Sequence, residues 1–432
     1  HSVLATLGGY VLLLAGYYVV TRFWKDWKGL AFLLVLVGFL PQFFLIARAH
    51  YLHFHPNATR INEADPWTWT AFMDVLTRKQ YGPTEFFPRR ISVVDQFRVL
   101  GLYLSWQYAG LLLAPFLILA IYGVLEAYYR DRKGFWYVFS LLFIASVGML
   151  FLLNLKDSPT QPVNPLNARL GKTEVRDRDY FYAYFYSFLG LFMALGFAGL
   201  LRLGLETLKR SRTLVYVFGY PLMGVLLFAH IALTYPLVNR NHNFIAEDYA
   251  HNLMMSVTTD EPAVLFTNGD NDTFPLWFLQ EALGFRKNIL IANLSLLNTN
   301  WYCRQLKAWG APISFTDQEL DSLPPAMMLG RKIVMLRDLV IRDMIATSTG
   351  YRDNLKPEDF VPIRNVSVPR IYLAPPDSFR KEVVEGRTLR FPLFFSITTS
   401  PEAYRGLQDL FVMEGMVFRL TTQKQEEVVS PP

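Results

Sequence analysis

The hydrophobic positions fall into two patterns along the chain. Before about residue 235 they form long unbroken runs, and after it they form short runs separated by polar turns. Six runs are long and apolar enough to span a bilayer, at about residues 3–21, 30–47, 101–124, 134–155, 180–201 and 214–235. A soluble domain does not hold six such segments in 235 residues, so residues 1–235 are expected to form an α-helical polytopic membrane domain. Residues 236–425 are expected to form an α/β soluble domain, and 426–432, ending in two prolines, a disordered tail.

The second pattern is clearest between residues 263 and 301. Ala263–Thr267 is a short, β-rich apolar run and reads as a buried strand. Asn268-Gly-Asp-Asn-Asp-Thr273 reads as a polar turn. Thr273 suits the cap of a following helix, Pro275 its first turn and Gly284 its end. Residues 289–294 are a second apolar strand, so the unit is βαβ with parallel strands. The acidic turn then lies at the carboxyl end of the first strand, where open α/β sheets place ligands. Before this unit, Ile245, Tyr249, Leu253 and Met254 fall on one helical face. After it, helices are expected at 300–309, 332–345 and 404–413, and strands at 391–398 and 416–420.

Composition agrees with a membrane protein. The 432 residues are 52% hydrophobic and only 18% charged. The net charge of +6 does not point to nucleic acid, because the basic residues sit in short loops between apolar runs. Arg22, Lys25 and Lys28 lie in the first loop, Arg130, Arg132 and Lys133 in the third, and Arg202, Lys209, Arg210 and Arg212 in the fifth. Short basic loops are cytoplasmic by the positive-inside rule. Loops 48–100 and 156–179, and everything after 236, are therefore expected outside the cytoplasm. The single cysteine, Cys303, excludes an internal disulfide. The chain starts at His1 inside an apolar region, with no signal peptide before it, and is read as a fragment of a longer protein.

Four places carry candidate chemistry. His50, His53 and His55 suggest a metal site, but no carboxylate accompanies them at ligand spacing, and a headgroup-level position explains them better. Residues 67–82 suit an amphipathic helix on the membrane surface, with Arg78 and Lys79 snorkelling or meeting lipid phosphate. In Glu174-Val-Arg-Asp-Arg-Asp179 every residue but Val175 is charged, directly before a span. Arg176 and Arg178 are forks suited to lipid phosphate, with Asp177 and Asp179 placed to orient them; an interfacial collar is the alternative. Asn268, Asp270, Asn271, Asp272 and Thr273 form the last candidate. A DxD pair holds a divalent metal and a sugar-nucleotide phosphate in many glycosyltransferases. A self-bonded turn is the preferred reading here, so no metal is assigned. Sequons begin at Asn57, Asn271, Asn293 and Asn365.

The runs FTNGDNDTFPLWFLQE and NLSLLNTNWYCRQLK resemble a bacterial family of polytopic membrane proteins long labelled a domain of unknown function. EVRDRDYFY, FMDVLTRKQYG, FFSITTSPE and EGMVFRL are similar to it too, in order from about residue 60 to 421. That family is related to an animal endoplasmic-reticulum protein O-mannosyltransferase acting on plexin-type domains. The resemblance implies the C-terminal part of a GT-C-like bundle, in a bacterial inner membrane with the soluble domain periplasmic. It implies transfer of a sugar from a polyprenyl-phosphate donor to an extracytoplasmic protein acceptor. The family's catalytic carboxylates lie in an N-terminal Trp-Asp-x-x-Glu-Phe-like stretch that this chain lacks, so the catalytic residues are unassigned. A transporter and a non-enzymatic membrane-anchored binding module stay open as alternatives; the scarcity of ionisable residues in the spans disfavours the transporter.

Overall fold

The computed structural model describes residues 18, 40–41, 44–45, 47–55, 61–77, 79, 86–330 and 332–424. The expected spans 3–21 and 30–47 lie almost wholly outside them, as do Arg22, Lys25, Lys28, Asn57, Arg78 and the tail. Gly82–His242 forms one compact unit, and the described residues of His1–Tyr81 pack with those of Asn243–Pro432 as the other.

The first unit opens with α1 (Val93–Gln107) and continues with four helices long and apolar enough to cross a membrane. These are α2 (Gly110–Arg130), α3 (Arg132–Leu153), α4 (Asp179–Thr207) and α5 (Arg212–Val238). The expected span 101–124 is corrected: the chain breaks between α1 and α2, where Ala109 takes φ 52° and Gly110 φ 55°. Residues 101–107 belong to α1, which Ser92 caps and which buries the polar Asp95 and Gln96.

α2 and α4 cross in close contact. A Cβ on Gly123 would overlap the Phe192 carbonyl, and one on Gly196 would overlap the Leu119 carbonyl. Small residues let two backbones approach where no hydrophobic effect drives helices together. The pair runs parallel. At one end Tyr103, just before α2, lies 6.3 Å from Tyr182. At the other, Arg202 of α4 donates to Glu126 of α2 at 2.7 Å, and Arg130 also pairs with Glu126.

The second unit is a three-layer α/β fold. It contains α6 (Ile245–Met255), β1 (Ala263–Thr267), α7 (Gly269–Glu281), β2 (Ile289–Asn293) and α8 (Asn300–Ala308). Then come β3 (Ala326–Leu329), β4 (Lys332–Met335), α9 (Leu336–Ser348), β5 (Phe360–Ile363), β6 (Val366–Pro369), β7 (Leu393–Ser396), β8 (Phe411–Glu414) and β9 (Val417–Leu420). The sheet order is β2-β1-β7-β9-β8, with β1 parallel to both β2 and β7. Ala263, Leu265, Ile289 and Ile291 pack beneath α6 and α7. Val264, Phe266, Leu290 and Phe395 pack beneath α8 and α9. With both faces covered, all five positions of β1 and of β2 are buried, which explains their unbroken apolar runs.

Four further expectations are corrected. Residues 332–345 split into strand and helix, because β-branched Ile333 and Val334 join a hairpin with β3. Residues 404–413 are not one helix: short 3-10 turns at Pro401–Tyr404 and Gln408–Leu410 flank Gly406, which takes φ 84°, and Phe411–Glu414 pairs with β9 across a tight turn at Gly415. On α6, Leu253 and Met254 are buried, but Ile245 is 75% exposed. Of the helix expected over 67–82, the described residues form Trp69–Leu76, with Thr68 as its cap and Thr77 ending it; residues 78 and 80–82 lie outside them. Its segment is fastened to the α/β domain by Asn62. The Asn62 carbonyl accepts from Gln305 Nε2 at 2.6 Å, and its N–H donates to Gln305 Oε1 at 3.4 Å.

The α2–α4 crossing leads to the first prediction. Gly196→Val leaves no room at the crossing and abolishes the monodisperse folded protein in detergent, a loss above about 4 kcal/mol. Gly190→Ala, where a Cβ meets nothing within 4 Å, stays near wild type by size-exclusion chromatography and thermal unfolding.

Candidate functional site

The arginine run is held by a polar knot between α3 and α4. The knot starts where α3 ends, at Asn154, which takes φ 45° as a left-handed cap. Arg89 donates to the Phe151 and Leu150 carbonyls at 2.9 and 3.1 Å, satisfying acceptors the helix end leaves open. Gln96 receives Arg89 and donates to the Leu155 carbonyl at 2.8 Å. Asp157, fully buried, accepts from the Ser158, Val163 and Asn164 N–H groups at 2.8, 2.9 and 3.1 Å and from Asn167 Nδ2 at 3.0 Å. Asp95 accepts from the Asn164 and Asn167 amides and from Arg98. Burial alone would raise its pKa, yet the hydrogen bonds from Asn164, Ser92, Asn167 and Arg98 together hold it below the ordinary 3.8.

The knot fixes the backbone of residues 174–178. The Glu174 N–H donates to the Asp157 carbonyl at 2.8 Å, and the Arg178 N–H to the Tyr103 hydroxyl at 3.1 Å. Asp177 does not orient the arginines as expected. Its carboxylate turns inward and accepts from Ser158 Oγ at 2.6 Å, from Tyr103 at 3.3 Å and from Thr160. Asp179 opens the first turn of α4. The residue that gathers the two guanidiniums is Tyr180. Arg178 donates to its hydroxyl at 2.9 Å, and Arg176 lies 5.8 Å from its ring centroid. Glu174 adds a 3.8 Å ion pair to Arg178. Arg176 is exposed and Tyr180 is half exposed, so the cluster faces outward at the head of an apolar helix.

In the other unit, the loop 268–273 is not a turn. It is the first part of α7, with Asn268 at its start, so Thr273 does not cap it and Pro275 lies inside it. Asp272 makes this possible by accepting from the Asn268 N–H at 3.1 Å. Asp272 also accepts from the Tyr249 hydroxyl at 3.0 Å and from Thr398 of the segment after β7. Thr273 bonds Thr267 Oγ1 and Asn293 Nδ2, both at 2.8 Å, linking the carboxyl ends of β1 and β2. Asp270 and Asn271 point to solvent, whereas Asp272 is 5% exposed. Two residues apart on a helix, the Asp270 and Asp272 carboxylates diverge and do not meet on one ion. The histidines of the 47–55 segment have local partners. His53 lies 3.3 Å from Asp65 and stacks on Trp67, and His55 bonds the Tyr51 carbonyl. Asp65, the carboxylate that spacing did not reveal, reaches His53 through a turn at Ala64 and Asp65, both with positive φ. Among the described residues no group of three His, Cys, Asp or Glu could hold a metal ion.

Fold and sites together define a membrane protein that carries an α/β domain after its last span. Residues 246–312, which run from α6 through β1, α7, β2 and α8, match the family model described as TMEM260-associated domain 2. No curated protein and no solved structure matches the chain.

Two outcomes follow. Asp95→Asn keeps the shape and removes the charge. Because the folded carboxyl titrates below 3.8, its stabilisation is complete above that pH and is lost as pH falls through the lower folded value. Unfolding midpoints against pH should therefore fall less steeply in acid for the variant than for wild type. Asp272→Asn sets an amide donor against its three donors and costs about 2–3 kcal/mol, whereas Asp270→Ala stays within about 0.5 kcal/mol in urea unfolding.

Proposed function

We propose that the chain belongs to an integral-membrane glycosyltransferase of the GT-C type, related to TMEM260. In this reading it transfers a sugar from a polyprenyl-phosphate donor to a protein acceptor outside the cytoplasm. The observation that carries the reading is the match of residues 246–312 to TMEM260-associated domain 2. The arginine cluster at the head of α4 supports it from the chemistry. Arg176 and Arg178, gathered on Tyr180, offer charge-assisted and forked donors to a lipid phosphate. Negative charge grows on the leaving phosphate in the transition state, so such donors raise turnover as well as affinity. The basic loops support the orientation. Arg130, Arg132 and Lys133 lie between α2 and α3, and Lys209 and Arg210 between α4 and α5. Placing these in the cytoplasm puts the arginine cluster and the α/β domain outside, in the periplasm if the source is bacterial.

The runner-up is a membrane-anchored binding module without catalysis. The carboxyl edge of the sheet favours a role without catalysis, because Asp272 accepts from Thr398 and Thr273 bonds Thr267 and Asn293, so these polar groups are spent within the fold.

Two experiments test the proposal. In the full-length protein with a polyprenyl-phosphate sugar, Arg178→Lys keeps the charge but loses the fork. Each lost contact lowers transfer by about 2–3 kcal/mol in kcat/KM, with folding unchanged. Full activity of the Arg176→Ala/Arg178→Lys double variant at limiting donor rules the phosphate role out. Orientation is read by labelling cysteines placed at exposed Lys172 and Lys209. Ser158 is fully buried and unsuitable, and the native Cys303 thiol stays silent, being buried and pushed up to about 12. The two sites should label from opposite sides of the membrane; labelling from one side sinks the orientation.

A further inference from the structure

The loop between α3 and α4 carries its side chains the wrong way round for a surface in water. Asn167, in the single turn Pro165–Arg169, is buried, while Leu166 and Leu170 are 56% and 58% exposed. The two leucines stand one turn apart and share a face, and the Leu170 N–H donates to the Leu166 carbonyl at 3.0 Å. Val175 is 94% exposed, whereas Asp157 and Ser158 of the same loop are fully buried. Buried polar groups and exposed large apolar ones are the departures from ordinary packing that carry information.

The charges are sorted as well. The three carboxylates of residues 154–178 are turned into the knot. Asp157 accepts from Val163, Asn164 and Asn167, and Asp177 from Ser158, Tyr103 and Thr160. Glu174 accepts from the Lys156 N–H at 2.9 Å. The charged residues of this stretch that stand exposed are Arg169, Lys172 and Arg176, all cations.

The loop is held at the membrane. α3 and α4 are both long and apolar enough to cross it, so the two ends of the loop stand at one face. The 22 residues of α3 match a hydrocarbon layer of about 30 Å, which brings the end of the helix to headgroup depth. Asp157, three residues past the Asn154 cap, binds Asn167 at 3.0 Å. Its N–H donates to the Lys172 carbonyl at 2.9 Å and its carbonyl accepts from Glu174 at 2.8 Å. The turn and its leucines are thereby tied to the end of α3.

We propose that the outer side of residues 165–175 docks on the phospholipid leaflet in which α3 ends and α4 begins. Leu166, Leu170 and Val175 enter the upper acyl region, and Arg169 and Lys172 rest on anionic headgroups. Apolar side chains interleaved with cations suit a membrane interface, where burial of the one and attraction of the other add. The leaflet is the occupant the fold supplies, because both ends of the loop are rooted in it. The inference rests on the crossing helices and not on the glycosyltransferase reading, and it leaves Arg176 and Arg178 to the site already described.

The test uses the full chain in nanodiscs of phosphatidylcholine and phosphatidylglycerol in equal parts, with a photo-reactive phenylalanine derivative in place of Leu170. Adducts are identified by mass spectrometry. They should be phospholipid, with phosphatidylglycerol favoured about fivefold, the worth of about 1 kcal/mol for one cation at an anionic surface. Arg169→Gln/Lys172→Gln, with folding checked by size exclusion, should return the adducts to the bulk lipid ratio. Capture at the bulk ratio without these substitutions overturns the role of the two cations. Adducts to protein, from this chain or another, overturn the lipid occupant. A fluorophore on Leu170→Cys checks the depth independently. Quenching by doxyl-labelled lipid and not by iodide is expected, and the reverse overturns the docking.

Discussion

The parallel crossing of α2 and α4 at Gly123 and Gly196 is the constraint on which the membrane unit depends. Two helices consecutive in a bilayer run antiparallel, so a parallel pair needs a third span to bring the chain back. α3 is that span. It returns the chain to the end where α2 began, and the segment 154–178 must then reach the head of α4 across that end. Glycine at the crossing brings the backbones together. Leucine or valine there would hold the helix heads apart, and the knot would lose the Tyr103 contacts that fix Asp177 and Arg178.

The knot shows how a loop at the head of an apolar helix is fixed by polar groups as well as by the apolar cluster of Ile91, Val99, Tyr103, Leu155 and Tyr182 beside it. Asp95, Gln96, Asn154, Asp157 and Asn167 are all nine-tenths or more buried. Each is nearly saturated with hydrogen bonds, which is the condition for burying polar groups without loss. Asp157 works as a local template, gathering three backbone N–H groups that no helix or strand uses. The arginines at the surface are thereby carried on a fixed backbone while their guanidiniums stay accessible. A flexible loop with the same charges would have to give up the entropy of that backbone to hold its arginines in one place.

Parts of this were legible in the sequence, for physical reasons that differ by element. β1 was read to the residue, because a parallel strand buried on both faces has no polar positions to blur its ends. The start of α7 was read too late. Asn-Gly-Asp-Asn prefers turns when its side chains bond locally, but Asp272 spends its carboxylate on the Asn268 N–H and on Tyr249 and Thr398, and the helix begins at Gly269. The hairpins β3–β4 and β5–β6 escaped because four-residue strands at a surface carry little periodicity. In the candidate site, Arg176 and Arg178 stood out as costly charge beside a span. Their partner Tyr180 did not, because an aromatic residue before a span has an ordinary interfacial explanation. The role of Asp177 was out of reach, since Ser158, Thr160 and Tyr103 lie 19, 17 and 74 residues away.

The α/β unit is closed by a contact of its own. Asn62 and Gln305 exchange two hydrogen bonds, so the chain before residue 82 and the chain after residue 242 share one compact body. Within the other unit, α2, α3, α4 and α5 are the helices long and apolar enough to cross a membrane, and α1 is not among them. It begins at a Ser92 cap and places Asp95 and Gln96 in its first turn, bonded to Asn164, Asn167 and Leu155 of the knot. A crossing helix would have to bury that polar face in lipid, at several kcal/mol for each unsatisfied group. The break at Ala109 and Gly110 therefore does more than end a helix: it divides a run that reads as one long span between α1, with its polar first turn, and the apolar α2.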